Sequence, residues 1–354
     1  MPLLPCDIKT FLAPFKLLAN KHALSPMYKS LELSENMVRG CSNFGMLEVT
    51  MNLGIEGTMY VDASTFLAII DSIPQDQELI LADDNGVLLW ACGSAKGKLA
   101  LAVIENMPTI ARRNKPDAWT TPAELADILE LGALSCDSNT LASVGMHGVV
   151  LDNRGGALAV RTSDNITIAS AELPGVSIPK APDMVTMAPE AAALLAKVIR
   201  PGGKLEIDDT SIYYRDDGCR LVLKQVAALK HDLAEVLGNF SEAELVAPVP
   251  RDRIMAFIKR VGALTESRKS LYVELHAQAG QLALSFAEAQ AGSDEYYLIE
   301  GLKLPAELSI KLDAGRLARA LASIDEVVLD HVGKGAVVFH GKKPEFTYMV
   351  AGRA

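Results

Sequence analysis

The stretch LDAGRLARALASIDEVVLD, residues 312–330, decides the fold because its pattern occurs three times in the chain. It combines the end of a strand, a short amphipathic helix and the start of a new strand. The same order appears in YVDASTFLAIIDSIPQDQELILAD (60–83) and in TMAPEAAALLAKVIRPGGKLEIDD (186–209). The three copies lie about 125 residues apart, and a period of this length predicts repeated whole domains rather than a solenoid of short units.

Each copy carries a residue that favours the start of a helix. Asp62 and Asp313 can accept hydrogen bonds from the free N–H groups of a first helical turn, and Pro189 fits such a turn. A second helix is predicted in each third of the chain, at 7–21, 121–134 and 250–264. Strand-like runs and turn sequences follow these helices. Each third is therefore predicted to be α+β, with two helices on one face of antiparallel sheets.

The composition of the whole chain narrows the class of protein. The 354 residues are 49% hydrophobic, enough for more than one domain, and the formal net charge is −10. This acidity argues against coating of nucleic acid by bulk charge but leaves room for a basic face. The five cysteines are scattered, without a CxxC pair, as is typical of a reducing cytoplasm. No signal peptide and no membrane span is expected, so the sequence predicts a cytoplasmic protein.

Basic residues recur on the polar faces of the predicted helices. Leu317, Leu321 and Ile324 form the apolar side of the helix in the third copy, and Arg316 and Arg319 lie nearly opposite. For any one helix, a solvated face with cations near the C-terminus explains the pattern. Taken together, the basic residues predict a positive lining for a phosphate backbone. This expected DNA-facing set is Lys9, Lys16, Lys21, Lys197, Arg200, Arg251, Arg253, Lys259, Arg260, Arg316 and Arg319.

The sequence contains no convincing motif for catalysis or for metal binding. GSAKGK (93–98) looks like a phosphate-binding loop, but its spacing is wrong and Leu99 replaces the Ser or Thr that would bind magnesium. A hairpin turn is the better interpretation. The six histidines have no metal-ligand spacing, and the acidic pairs at 83–84, 208–209 and 216–217 fit turns better than a two-metal site. We expect no catalytic residue, no metal and no cofactor.

Five stretches of the chain, taken in order, match the motifs of one family. They are MYVDASTFLAIIDSIP (59–74), ACGSAKGKLAL (91–101), GVVLDNRGGALAVRTSDNITIASAELP (148–174), VPRDRIMAFIKRVGALTES (249–267) and FTYMVAGRA (346–354). Each motif is weak alone, but their order, their spacing and the internal repeat are together specific. On these residues, the chain resembles the bacterial DNA polymerase III β subunit, the DNA sliding clamp.

The resemblance implies a ring that binds DNA without catalysis. Such clamps are homodimers of a three-domain chain, with helices lining the central hole and antiparallel sheets outside. Applied here, it implies three tandem clamp domains of α+β class (the DNA-clamp fold), at 1–116, 117–246 and 247–354. A clamp loader opens such a ring around double-stranded DNA. The ring then tethers the replicative polymerase and other DNA enzymes, acting as a processivity factor by raising their effective concentration.

The family also carries a hydrophobic pocket for protein partners between its second and third domains. Motif matching assigns this pocket here to Met146, Thr162, Leu233, Val236, Met349 and Val350. Of these, only Thr162 keeps the family residue in a diagnostic place. Ordinary core and edge residues would explain the same positions equally well.

Two departures from the family pattern indicate a divergent clamp and argue for a bacteriophage origin. The helix predicted at 121–134 carries Glu124, Asp127 and Glu130 where the family has basic residues. In the first third, Lys21-His22 replaces an Arg-Pro pair of the family. The acidic helix also motivates an alternative, a clamp-fold protein scaffold or inhibitor that no longer encircles DNA. An α+β hydrolase-like enzyme with an unrecognised site is the least favoured hypothesis.

Overall fold

The computed structural model divides the chain into two compact units. Unit 1 comprises Met1–Ala126, Ile178–Pro182 and Glu190–Gln225, and unit 2 comprises Asp127–Ser177, Asp183–Pro189 and Val226–Ala354. The structure describes all residues except 1–4, 20–21, 75–76, 112–117, 137–144, 146, 240–246, 249, 265–270, 279–280, 289–291, 301–307, 323–327, 334, 343–344 and 353–354.

Short helices alternate with runs of strands along the described chain. The helices are α1 (Pro5–Leu12), α2 (Phe15–Leu18), α3 (Ala63–Ser72), α4 (Leu125–Ser135), α5 (Pro189–Val198), α6 (Leu233–Gly238), α7 (Arg251–Leu264) and α8 (Ala314–Ala322). The strands are β1 (Ser30–Ser34), β2 (Met37–Cys41), β3 (Gly45–Thr50), β4 (Thr58–Asp62), β5 (Leu79–Asp83), β6 (Val87–Cys92), β7 (Ala95–Ala100), β8 (Trp119–Thr120), β9 (His147–Asp152), β10 (Ala157–Asp164), β11 (Thr167–Pro174), β12 (Met184–Met187), β13 (Lys204–Ile207), β14 (Ser211–Arg215), β15 (Cys219–Lys224), β16 (Ala247–Pro248), β17 (Tyr272–Gln278), β18 (Gln281–Glu288), β19 (Gly292–Glu300), β20 (Leu308–Asp313), β21 (Val328–Gly333), β22 (Ala336–Lys342) and β23 (Glu345–Ala351).

The predicted helix starts are present in all three copies of the repeat. The Asp62 carboxylate accepts a hydrogen bond from the N–H of Thr65 at 2.8 Å, which caps α3. The Asp313 carboxylate accepts from the N–H of Arg316 at 3.0 Å at the start of α8, and α5 begins at Pro189. Local capping chemistry therefore fixes the same strand-to-helix corner three times.

An eight-stranded antiparallel sheet forms the centre of each unit. Its order is β4-β1-β2-β3-β15-β14-β13-β8 in unit 1 and β12-β9-β10-β11-β23-β22-β21-β16 in unit 2. Unit 1 also holds the three-stranded sheet β5-β6-β7, and unit 2 the four-stranded sheet β19-β18-β17-β20. The predicted α+β class is confirmed. The division into three domains stays a prediction, because each large sheet combines strands from two consecutive thirds of the chain.

In unit 1, α2 packs on one face of the large sheet, and in unit 2, α4 does the same; glycines permit the close approach. A Cβ atom on Gly40 of β2 would lie 2.9 Å from the Phe15 ring of α2, and one on Gly132 of α4 would lie 2.7 Å from Val160 of β10. The faces opposite α2 in unit 1 and opposite α4 in unit 2 are called the outer faces below. Among the described helices, none is both long and apolar enough to cross a membrane.

Candidate partner-binding site and basic helix residues

An apolar cluster lies on the outer face of unit 2, beside α6. Ile168 of β11, Met349 of β23 and Val338 of β22 are direct neighbours in the strand register, so their side chains share one face. Half-buried Leu229, Val236 and Leu237 surround the buried side chains. The α6 cluster, as we call it, consists of Ile168, Leu229, Leu233, Val236, Leu237, Ala336, Val338 and Met349.

Ion pairs fix α6 to the sheet beside this cluster. Asp232 caps α6 by accepting from the N–H of Ala234 at 2.9 Å. The Arg154 guanidinium bridges the two carboxylates of Asp152 and Asp232, at 2.6 Å from each. Arg161 donates to the same Asp152 carboxylate and, at 2.7 Å, to Glu172. The position of α6 therefore depends on a charged network rather than on apolar contact alone.

The network keeps its two aspartates ionised. The hydrogen bond from Arg154 lowers the pKa of Asp232 to about 2. Burial alone would raise the pKa of Asp152, but hydrogen bonds from Arg154 and the charge of Arg161 outweigh burial and hold that pKa below its usual range. Asp152 and Asp232 therefore stay charged at a pH low enough to protonate an ordinary aspartate, and the ion pairs that hold α6 persist there as well.

The structure brings together only part of the predicted pocket. Leu233, Val236 and Met349 belong to the α6 cluster. Thr162 and Val350 do not, because neighbours along a strand point to opposite faces. Thr162 lies on the side of α4, where a Cβ on Gly132 would approach its methyl group to 3.1 Å. This corrects the predicted set for Thr162 and Val350.

Met146, the remaining predicted pocket residue, lies outside the described residues. Sequence reasoning missed Ile168, Leu229, Leu237, Ala336 and Val338. A signal for some of them exists. Ala336 and Val338 alternate along one strand, and Leu237 follows Leu233 by one helical turn.

The basic residues of α1 and α2 have partners within unit 1. The Lys9 ammonium donates to the backbone carbonyls of Asp71, at 2.9 Å, and of Ile73. Lys16 forms an ion pair with the Asp71 carboxylate at 2.7 Å, in which both side chains are about half exposed. Both lysines thus stabilise the C-terminal end of α3, where exposed carbonyls favour cations. Lys21 lies outside the described residues.

The basic residues of the region around α5 and of α7 are mostly exposed. Lys197 is exposed, and the Arg200 guanidinium donates to the carbonyls of Lys197 and Ile199 at 2.9 and 3.0 Å, capping the end of α5. In unit 2, Arg251 is half-buried and donates to the carbonyl of Ala322 at 3.0 Å. The exposed basic residues of α7 are Arg253, Lys259 and Arg260. The Arg260 guanidinium lies 5.9 Å from the centre of the Phe257 ring.

Arg316 was predicted on the solvent face of its helix, and the structure contradicts this. The residue is 5% exposed, and its guanidinium forms an ion pair with Asp164, which is fully buried. The same Asp164 carboxylate accepts hydrogen bonds from the N–H and the hydroxyl of Thr167. Arg316 therefore belongs to the interior of unit 2, and it is withdrawn from the DNA-facing set. Arg319 is half-buried.

The described residues offer no grouping of three or more His, Cys, Asp or Glu side chains that could hold a metal ion.

Comparison with known proteins gives a fold. No protein-family model matches the chain, and no curated protein sequence matches it significantly. Solved structures do match. The Helicobacter pylori β clamp bound to a DNA ligase peptide is 13% identical, with a TM-score of 0.73, and the match covers 100% of this chain and 99% of that one. The DNA polymerase III subunit beta of Pseudomonas aeruginosa is 16% identical, with a TM-score of 0.72 and 98% of each chain covered. Over its whole length, the chain has the fold of the bacterial DNA polymerase III β sliding clamps.

Proposed function

We propose that the protein is a DNA sliding clamp, a homodimeric ring that encircles double-stranded DNA and tethers the replicative polymerase and other DNA enzymes. The full-length match to two bacterial β clamps supports this function. The proposal includes a clamp loader as a partner, a cytoplasmic location and a non-catalytic role as a processivity factor.

The observation that carries the proposal is the pattern of strand pairing between the thirds of the chain. β3 of the first third pairs with β15 of the second, and β11 of the second pairs with β23 of the third. The strands in the same position of the two other three-stranded runs are β19, in the last third of the chain, and β7, in the first third. Each is an edge strand of its own sheet among the described residues. Pairing of β7 with β19 of a second copy would complete the pattern.

This contact is head-to-tail, because it uses different strands of the two copies. Head-to-tail contacts generate a closed ring when the rotation between copies closes, and two such contacts would join two chains. Lys96 and Lys98 of β7 are exposed, so a reversal of their charge can test this pairing.

The first experiment is the mass in solution by light scattering across a concentration series. We expect a dimer of about twice 37.9 kDa. The double variant Lys96→Glu/Lys98→Glu should shift the equilibrium towards monomer. The control, Lys180→Glu/Lys224→Glu, changes the same charge at exposed positions outside β7 and should remain dimeric. If the wild-type protein is a monomer at every concentration, the proposal of a homodimeric ring is wrong.

A second experiment separates a clamp from a scaffold of the same fold. Loaded with a clamp loader onto nicked circular DNA, a ring should stay bound at high salt and leave when the DNA is linearised. If the protein stays bound after the DNA is linearised, it binds by direct contact with DNA and not by encircling it. If it is not retained on circular DNA at all, the scaffold is favoured. Reversal of the exposed Arg253 and Lys259 to Glu should weaken salt-sensitive association with DNA.

The α6 cluster is the proposed surface for protein partners. Its half-buried Leu229, Val236 and Leu237 offer apolar contact to a peptide, and its Met349 can adapt to different side chains. A Helicobacter pylori clamp of the same fold binds a DNA ligase peptide, which supports this use. We expect Val236→Asp to abolish binding of polymerase peptides while the dimer mass stays unchanged.

A further inference from the structure

The Trp90 side chain crosses the three-stranded sheet of unit 1 and ends over its edge strand. In the strand register, Leu81 of β5 is opposite Trp90 of β6, and Trp90 is opposite Gly97 of β7. Opposite residues of an antiparallel pair share one face of the sheet. A Cβ atom on Gly97 would lie 2.6 Å from three atoms of the indole, so the ring occupies the space of the missing side chain. On this face, the indole therefore takes the place of a side chain of β7.

The indole is less well covered than its neighbours on the same face. Leu81, Leu88 and Leu99 are at most 9% exposed, whereas Trp90 is half-buried. Its neighbour towards β5 is a buried leucine, but its neighbour towards β7 is a glycine, and β7 is an edge strand among the described residues. A partly covered aromatic ring at a strand edge suits a protein contact, because it offers a large apolar area and loses little conformational entropy.

A strand added at β7 would cover this ring. Paired strands lie about 4.7–4.9 Å apart, so the residue opposite Gly97 on the added strand would be a direct neighbour of the indole. In the proposed ring, the added strand is β19 of a second copy. Burial of the indole between the two copies would remove apolar area from water and stabilise the contact.

We propose that Trp90 is the apolar anchor of the contact between two copies of this chain, and that Gly97 provides the space for it. The inference rests on the proposed ring and adds the residue on which the strength of its contact mainly depends. Tryptophan is enriched among the few residues that carry most of the binding free energy of an interface, and such residues lie near its centre. The indole meets this condition, since Gly97 is the third of the six residues of β7.

The opposite face of β7 is charged, so the strand edge and the anchor can be tested separately. Lys96 and Lys98 flank Gly97, and neighbours along a strand point to opposite faces of the sheet. Their side chains therefore leave the sheet on the side away from the indole, and both residues are exposed. Their reversal to Glu changes the edge of β7 and leaves the anchor in place.

The first measurement is the dissociation constant of the dimer, obtained for the full-length protein by light scattering across a concentration series. Trp90→Ala should raise this constant by about 30-fold, and Trp90→Phe, which keeps a ring, should raise it less. Gly97→Ala should raise it by about tenfold, because the new Cβ atom displaces the indole from β7. Trp119→Ala is the matched control, since it removes the same half-buried side chain from β8, an edge strand of the eight-stranded sheet, and should leave the constant unchanged.

The second measurement is the fluorescence of Trp90 itself. The chain has two tryptophans, so Trp119→Phe leaves Trp90 as the single indole. Its emission should move to shorter wavelength as the protein concentration rises through the dissociation constant, because the ring leaves water when the copies associate. With Lys96→Glu/Lys98→Glu added, the emission should stay at the longer wavelength over the same range.

The two measurements separate a failure of the anchor from a failure of the ring. A wild-type monomer at every concentration overturns the ring, and the anchor with it. A dimer whose dissociation constant is unchanged by Trp90→Ala and by Gly97→Ala, and whose Trp90 emission is independent of concentration, overturns the anchor alone. If circular dichroism shows that Trp90→Ala does not fold, Trp90→Phe and Gly97→Ala decide the question.

Discussion

The outer faces of the two eight-stranded sheets share one strand topology but differ in chemistry. In unit 1, buried Arg39 joins Glu48 at 2.8 Å and Glu32 at 3.1 Å across three adjacent strands. In unit 2, the corresponding face carries the α6 cluster, which is apolar. Strand pairing and the face towards the helices are thus enough to define the sheet, and the outer face is free to differ.

The difference teaches that one repeated framework can present two kinds of binding surface. The buried charges of Glu32, Arg39 and Glu48 in unit 1 are paired with one another. Unit 2 leaves apolar side chains half-buried around α6. The first surface is charged and the second offers apolar contact, although both sheets arise from the same repeat.

The largest expected effect comes from breaking the charged face of unit 1. Arg39→Ala would leave the buried carboxylates of Glu32 and Glu48 without their main partner. Removing one partner from a buried ion pair typically costs about 3–5 kcal/mol. We expect a loss of this size in the free energy of unfolding, measured by urea denaturation.

The control for this change is Lys224→Ala, which removes an exposed cation from the same sheet and should alter stability by less than about 0.5 kcal/mol. A small loss for Arg39→Ala, close to that of the control, would mean that the charges of unit 1 are solvated and not a structural part of the face.

A smaller effect is expected from loosening α6 in unit 2. Asp232→Ala removes the helix cap and one of the two carboxylates bound to Arg154. A lost cap typically costs about 1 kcal/mol. We expect this loss in stability, together with faster amide exchange in α6 and weaker peptide binding.

Asp62→Ala is the matched control for that variant, because it removes the same kind of cap from α3 in unit 1. It should cost a similar amount of stability and leave amide exchange in α6 unchanged. Unchanged exchange in α6 after Asp232→Ala would show that apolar contact alone holds this helix.

The smallest effect sharpens the comparison through acid titration. Burial raises the pKa of Glu32 above its usual value, even though Arg39 opposes the shift, whereas Arg154 lowers the pKa of Asp232 to about 2. On acidification, Glu32 should therefore take up its proton before Asp232. Carboxyl carbon chemical shifts measured by NMR between pH 7 and 2 check this order.

The two shifts have opposite consequences for stability. A raised folded pKa means that the contribution of Glu32 becomes more favourable as the pH falls through that pKa. The lowered pKa of Asp232 gives a contribution that is present above its unfolded value of 3.8 and is lost as the pH falls towards 2. If Glu32 and Asp232 both titrate at their ordinary pKa values, the two faces do not differ in the pH dependence of stability.

Local features of the fold could be predicted from the sequence because their causes are local. Asp62, Pro189 and Asp313 start helices through capping and φ preference, and these starts agree with the structure. The position of Arg316 could not be predicted in this way. A helical projection places it opposite the apolar stripe, but its partner Asp164 lies at the end of β10, 152 residues earlier in the chain.

The candidate partner site shows the same limit. Met349 and Val350 are adjacent in sequence and both apolar, so motif matching assigns both to a pocket. Only the pairing of Met349 with Ile168 decides which of them faces α6. Strand register between distant segments is a tertiary property, and a single sequence does not encode it in a readable pattern.

The sharing of each large sheet between consecutive thirds has a consequence for dissecting the protein. A fragment that ends at residue 116 or at 246 would keep one half of an eight-stranded sheet and lose the other. The cut would uncover β3 or β11, whose inner residues Leu47 and Ala169 are buried in the intact chain. A strand edge with unpaired N–H and C=O groups can pair with another chain and lead to aggregation. The thirds that are most visible in the sequence are therefore poor choices for soluble fragments, because a cut after either of the first two thirds divides an eight-stranded sheet.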